Sequence, residues 1–153
     1  MKKRILSLLL IFGMLLLLSS CSKREAITAD DFKSSMEGLE YTLTDATSQF
    51  DAGLVESVQL AEKDTCKIEF YVVESTAQAQ NAYKTNKENI EKAEKLSSTS
   101  SHKSVSLKNY GYYKATTGDL YYVISRIDKT FIYAAIPLKY KDKASDIISD
   151  LGY

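Results

Sequence analysis

The chain has 153 residues, and its 20 lysines and arginines are balanced by 20 aspartates and glutamates. A chain of this length forms about one domain, and its charge balance lacks the basic excess that nucleic-acid binding requires. Its single histidine excludes a metal site with several histidine ligands. The sequence contains no Cys-x-x-Cys pair, no Gly-x-Ser-x-Gly nucleophile motif and no glycine-rich phosphate loop. Composition and motifs therefore point to no enzyme class.

The amino-terminal residues have the three-part pattern of a secretory signal peptide. Residues 2–4 are basic, Ile5 to Leu18 is an apolar run with one serine and one glycine, and two serines then precede Cys21. A membrane-spanning helix is the alternative interpretation. A helix of the 14 residues in this run would be only about 21 Å long, whereas the hydrocarbon core of a bilayer is about 30 Å thick. The pattern therefore predicts a signal peptide over residues 1–20.

The tetrapeptide Leu18-Ser19-Ser20-Cys21 resembles the lipobox of bacterial lipoprotein precursors. Leu18 stands at the aliphatic position, Ser20 at the small position before the cleaved bond, and Cys21 at the modified position. The resemblance implies that Cys21 receives a diacylglyceryl thioether, that the peptide is cut before Cys21, and that an acyl chain such as palmitate is added to the new amino terminus. It implies a lipid-anchored protein on the extracytoplasmic face of the cell membrane.

Cleavage changes the charge and the thiol content of the chain. The signal peptide carries three basic residues and no acidic one, so the mature chain keeps 17 basic and 20 acidic residues, a net charge of −3. This charge gives no attraction to anionic lipid, so the acyl chains must hold the protein at the membrane. With Cys21 acylated, Cys66 remains as the single thiol. Its alternation with Ile68 and Phe70 predicts a buried apolar side chain rather than a reactive thiol.

Ser22 to Ala26 is polar and charged, and residues 21–27 are predicted to form a lipidated tether before a single α+β domain over residues 28–153. The elements of this domain are predicted from helix caps at Thr28 and Ser75, from helical periodicity, from strand alternation and from turn residues. The predicted elements are a helix from Thr28 to about Gly38, a hairpin over 54–73, a helix from about Thr76 to Leu96, strands over 104–115, 120–127 and 130–136, and a helix from about Tyr140 to Leu151.

This order of elements predicts an α+β fold with a single antiparallel sheet of about five strands and helices packed mainly on one face. Residues 54–96 and 120–151 each resemble a hairpin followed by a helix, so a duplicated ββα unit is an open alternative. The serine-rich residues 97–101 are predicted to form a solvated loop. His102 adjoins this loop, and no carboxylate close to it in sequence would orient it for catalysis.

Tyrosine is the compositional anomaly, with eleven tyrosines and no tryptophan. A cluster of them between Tyr110 and Tyr122 predicts either an aromatic platform for a sugar, a peptide or a flat ligand, or ordinary packing within a sheet. Since Tyr121 and Tyr122 point to opposite faces of a strand, at most one of them joins a given patch. The candidate ligand-binding residues are Tyr110, Tyr112 and Tyr122.

Together these features predict a non-enzymatic binding or protein-interaction module of the cell envelope, held to the membrane by lipid on Cys21. The expected partners are an envelope protein, a wall polymer or a small solute, and no cofactor, metal ion or nucleic acid is expected. One alternative is a hydrolase that acts on glycans with two carboxyl groups about 5–9.5 Å apart across a cleft. The other is a structural spacer or an inhibitor.

Overall fold

The structure of the chain, a computed structural model, describes residues 23–153. The predictions for the signal peptide, its cleavage and the lipid on Cys21 concern residues outside this range. No helix described between residues 23 and 153 combines the length and the apolar character needed to cross a bilayer. The elements are α1 Ala29–Gly38, β1 Thr42–Asp45, β2 Val55–Lys63, β3 Cys66–Val73, α2 Thr76–Lys95, β4 Ser100–Ser106, β5 Tyr110–Thr117, β6 Leu120–Ile127, β7 Thr130–Pro137 and α3 Lys141–Asp150.

All seven strands form one sheet in the order β1-β2-β3-β7-β6-β5-β4, and every neighbouring pair is antiparallel. The single antiparallel sheet is therefore confirmed, but the predicted number of about five strands is wrong. The difference comes from β1, which was not predicted, and from the predicted strand over 104–115, which divides into β4 and β5. Every residue of β4 is exposed, so no alternation of apolar and polar residues marks it in the sequence. Ser100, Ser101 and His102 thus lie in a strand rather than in or beside a loop.

Helices cover both faces of the sheet, and the prediction that they pack mainly on one face is wrong. We call the face that carries Val123 and Ile132 the front face and the face that carries Ile124 the back face. Helices α1 and α3 pack on the front face, whereas α2 packs on the back face. Val123 and Ile124 are 1% and 0% exposed although neighbours in a strand point to opposite sides. Since the central strands are buried on both sides, alternation alone cannot assign a face to each helix.

Side-chain caps determine where the first two helices begin. The backbone N–H of Asp31 donates to Thr28 Oγ1 at 3.1 Å, and the backbone N–H of Thr28 donates to Asp31 Oδ2 at 3.0 Å. Hydrogen bonds from Thr28 hold the pKa of the Asp31 carboxyl below its ordinary value. At the start of α2, the N–H of Gln78 donates to Ser75 Oγ at 3.2 Å. Both predicted caps are confirmed.

The two units of hairpin and helix are not spatial copies of one another. The β2–β3 hairpin is followed by α2 on the back face, whereas the β6–β7 hairpin is followed by α3 on the front face. The hairpins meet at the centre of the sheet, where Phe70 of β3 pairs with Ile132 of β7. A two-fold rotation that exchanges the hairpins would keep both helices on the same face. The structure therefore does not show a duplicated ββα unit.

Candidate functional site

A cavity of about 390 Å³, which we call the tyrosine cavity, lies on the front face between α3 and strands β4 to β6. It exists because α3 is ten residues long and packs along β7, which leaves the strands beyond it partly uncovered. Its volume falls in the lower part of the range of about 300–1,000 Å³ that is usual for small-molecule sites. Its walls are formed by Arg24, Lys103, Val105, Leu107, Tyr110, Tyr112, Lys114, Tyr121, Val123, Ser145, Ile148, Ser149 and Tyr153.

Strand geometry brings three tyrosines to this cavity. Tyr110 and Tyr112 are two residues apart on β5, so their side chains lie on the same face. Their rings are nearly parallel, with an interplanar angle of 14° and centroids 6.5 Å apart. Tyr121 of β6 pairs with Thr116 of β5, and this register places its ring on the same face. The three tyrosines line the cavity with aromatic surface and carry phenolic hydroxyl groups.

Positive charges converge on the same cavity. Lys103 of β4 pairs directly with Lys114 of β5, and both line the tyrosine cavity. Like charges at directly opposite positions destabilise a strand pair, and neither lysine forms a salt bridge within the described residues. The Arg24 guanidinium lies 4.0 Å from the centroid of the Tyr110 ring and adds a third cation. No carboxylate of residues 23–153 lines the cavity to balance these charges.

Hydroxyl groups complete the polar part of the cavity. The hydroxyl of Tyr121 lies 3.3 Å from Ser145 Oγ on α3. Burial raises the pKa of the Tyr112 hydroxyl and that of the Tyr121 hydroxyl, so both stay protonated at neutral pH and can donate hydrogen bonds. The cavity therefore offers cations, hydroxyl donors and aromatic surface. This combination suits an organic anion whose uncharged part is flat or apolar.

Comparisons with known proteins add no precedent for this site. No family model, no curated protein and no solved structure matches the chain. What the cavity can bind therefore follows from the residues that line it. Among the residues that the structure describes, no group of three or more histidine, cysteine, aspartate or glutamate side chains is arranged to hold a metal ion.

The sequence-predicted tyrosines do not form one patch. Tyr110 and Tyr112 lie together in the tyrosine cavity, whereas Tyr122 lies on the back face beside α2. Tyr121, which was not among the predicted binding residues, is the third strand tyrosine that lines the cavity. The short turn at Gly118 was the available signal, because it pairs Thr117 with Leu120 and thereby sets the register of the β5–β6 hairpin. Four further lining residues were not predicted from the sequence, because the tertiary fold brings them together: Arg24, Lys103, Lys114 and Ser145.

His102 has an acidic neighbour that comes from a helix and not from the serine-rich segment beside it. Its Nδ1 lies 3.3 Å from Glu94 Oε1, which comes from the last turn of α2. Glu94 also accepts a hydrogen bond from the hydroxyl of the buried Tyr113. In the described part of the chain His102 makes no hydrogen bond to a serine or threonine hydroxyl, so the group lacks the nucleophile of a triad. The arrangement joins α2 to strands β4 and β5 on the back face.

Proposed function

We propose that this protein is an extracytoplasmic lipoprotein, anchored to the cell membrane by lipid on Cys21. The support is the basic start, the apolar run and the Leu-Ser-Ser-Cys sequence of residues 1–21. Two acyl chains on one residue are enough for stable membrane attachment, at about 0.8 kcal/mol for each buried CH₂ group. The domain that follows would work on the outer side of that membrane as a non-enzymatic binding module.

The ligand that we propose for this module is a small organic anion bound in the tyrosine cavity. The observation that carries this proposal is the direct pairing of Lys103 with Lys114 on the cavity wall. Two like charges at paired positions are unfavourable in the empty protein, and a bound anion would remove their repulsion while it accepts hydrogen bonds from both ammonium groups. The tyrosine rings would hold a ring or short apolar group of the same ligand.

The size of the cavity favours a solute, or one unit of a polymer, over a protein surface. About 390 Å³ accommodates a single-ring compound with a phosphate or carboxylate group. A carboxylate-dependent glycan hydrolase is not favoured here, because the described lining of the cavity contains cations and hydroxyls instead of a pair of acids.

Binding of a simple probe to the mature, full-length protein in a zwitterionic detergent tests the proposal. The probe is phenyl phosphate, and phenol is the uncharged control. We expect isothermal titration to detect phenyl phosphate binding that weakens at least about tenfold in a variant with both Lys103→Gln and Lys114→Gln, because each hydrogen bond to a charged group is worth about 1.5–3 kcal/mol. A variant with both Lys84→Gln and Lys92→Gln, on the exposed surface of α2, removes the same number of charges and is the control for net charge.

Tyrosine variants provide a second matched pair. Tyr112→Phe removes one hydroxyl from the cavity, whereas Tyr122→Phe removes one from the opposite face of the sheet. Only Tyr112→Phe is expected to weaken binding. The proposal fails if phenyl phosphate does not bind, or if it binds the double lysine variant as tightly as the parent protein.

A further inference from the structure

The segment before α1 is held against the domain from its first described residue. Lys23 Nζ lies 3.1 Å from Asp128 Oδ2, and the side-chain amide of Asn109 donates to the carbonyl oxygen of Arg24 at 2.9 Å. The Arg24 guanidinium in turn donates to the carbonyl oxygen of Gly152 at 3.0 Å. The described part of the predicted tether is therefore docked on the protein rather than extended away from it.

The docked segment continues into the core. Ala26 and Ile27 pack against the front-face core cluster that α1 and α3 also cover. Tyr153 belongs to the same cluster, and its buried hydroxyl is hydrogen-bonded to Thr130 Oγ1. An exposed ion pair alone would hold a chain weakly, but successive hydrogen bonds and apolar contacts hold the backbone in one path. The route from Lys23 to α1 is thus determined by the domain.

All of these contacts lie at one end of the sheet, which we call the anchor end. It contains the β6–β7 turn at Asp128 and the residue before β5, Asn109, whose carbonyl oxygen accepts from the Asp128 N–H at 2.8 Å. The opposite end contains the β5–β6 turn, where the N–H of Gly118 donates to Ser97 Oγ at 3.1 Å. The eight residues of β5 separate the two ends by about 25 Å.

We infer that the anchor end faces the bilayer directly and that the docked segment sets this orientation. The inference rests on the proposed lipid on Cys21. Lys23 follows Cys21 by two residues, a span of at most about 7 Å in an extended chain. Acyl chains inserted in the membrane would therefore bring Lys23 and the residues that hold it to the level of the lipid headgroups.

The surface of the anchor end suits this environment. Leu107 is 59% exposed, and it lies in the turn where its N–H donates to the carbonyl oxygen of Tyr110 at 2.7 Å. Lys108 follows it directly, and Lys129 lies in the β6–β7 turn at the same end. An exposed leucine beside lysines matches the interface between hydrocarbon and headgroups, where an apolar side chain inserts and an ammonium group stays in water.

Dye quenching in vesicles tests the orientation with the whole lipidated protein. The protein is reconstituted in vesicles of phosphatidylethanolamine and phosphatidylglycerol, with and without dibrominated phosphatidylcholine. Cys66→Ala removes the remaining thiol, and Leu107→Cys then carries an environment-sensitive dye. Leu96→Cys is the matched control, because Leu96 is 90% exposed and adjoins Ser97 at the opposite end.

We expect brominated lipid to quench the dye at position 107 about threefold or more strongly than at position 96, since the latter lies about 25 Å farther from the membrane. Equal quenching at the two positions, in protein that floats with the vesicles, overturns the orientation and leaves the lipid anchor intact. Protein that does not float with the vesicles overturns both. Lys23→Ala, Arg24→Ala and Asn109→Ala together remove the polar contacts that hold the segment before Ala26 and should reduce the difference between the two positions. An unchanged difference would overturn the role of the docked segment.

Discussion

The hydroxyl of Tyr113 on β5 donates a hydrogen bond to the carboxylate of Glu94 in the last turn of α2. Tyr113 is 0% exposed and Glu94 is 8% exposed, so this bond joins helix and sheet away from water. Burial, with the nearby Glu94 carboxylate, raises the pKa of the Tyr113 hydroxyl, which therefore remains a donor at neutral pH. The pair explains why Glu94, a charged residue, lies on the buried face of α2.

Substitution Tyr113→Phe is expected to destabilise the protein by about 1–3 kcal/mol, because the buried Glu94 carboxylate would lose a hydrogen-bond donor. Urea denaturation measures the change in the free energy of unfolding. Tyr122→Phe is the control, since Tyr122 also lies on the back face but is only partly buried. Its effect should stay within about 0.5 kcal/mol. Equal losses in the two variants would contradict a specific role for the bond between Tyr113 and Glu94.

Alkaline pH should weaken the fold through Tyr153. Burial raises the pKa of Tyr153 to about 12, although hydrogen bonds with Thr130 and with the backbone of Ile27 act in the opposite direction. A tyrosine in the unfolded chain ionises near pH 10. Because the folded state holds the proton more tightly, this contribution to stability is complete below about pH 10. It is lost as the pH rises toward about 12, by at most about 1.4 kcal/mol per pH unit.

Tyr153→Phe isolates this contribution from those of the other tyrosines. The variant should be less stable than the parent by about 1 kcal/mol near pH 7, because it lacks the hydrogen bond with the Thr130 hydroxyl. Phenylalanine cannot ionise, so the difference should shrink or change sign between about pH 10 and pH 12. Urea unfolding at neutral pH and at about pH 11 measures both values. A difference that does not vary with pH would argue against this assignment.

Loss of the sulfur at position 21 should abolish the lipid anchor. We expect the Cys21→Ala precursor to remain uncleaved or mislocalised and to incorporate no labelled palmitate, because the thiol is the proposed lipid acceptor. Metabolic labelling measures the lipid, and the electrophoretic mobility of the precursor measures cleavage. Cys66→Ala should keep the label, since Cys66 is buried on β3. Labelling of Cys21→Ala with palmitate to the level of the parent protein would reject the anchor.

Elements that bury apolar residues at regular spacing were predictable from the sequence. The helix predicted from about Thr76 to Leu96 spans Thr76–Lys95. Cys66 is 6% exposed, as its alternation predicts, and burial raises the pKa of its thiol. Strand β4 was predicted only in part, as the start of a single strand over 104–115, because all its side chains are exposed and its pairing with β5 involves the backbone. The alternation of apolar and polar residues indicates which side chains are buried. An edge strand whose side chains are all exposed has no such alternation.

The candidate site was predictable only where its residues are close in sequence. Tyr110 and Tyr112 share a face because of the two-residue period of a strand. The choice between Tyr121 and Tyr122 required the register of the β5–β6 hairpin. Lys103 meets Lys114 only because β4 pairs with β5, whereas the sequence pattern predicted one continuous strand over 104–115. The grouping of cationic side chains around the cavity therefore could not be predicted without the tertiary fold.

The central ladder of the sheet joins β3 to β7, so that Val72 pairs with Thr130 across more than a third of the chain. Synthesis from the amino end delivers β3 well before β7, and the proposed export across a membrane would do the same. During that interval the apolar side chains of Ile68 and Phe70 lack the strand that later lies beside them. The middle of the sheet can close only when the last strand arrives, and until then the emerging chain has to be kept from aggregating.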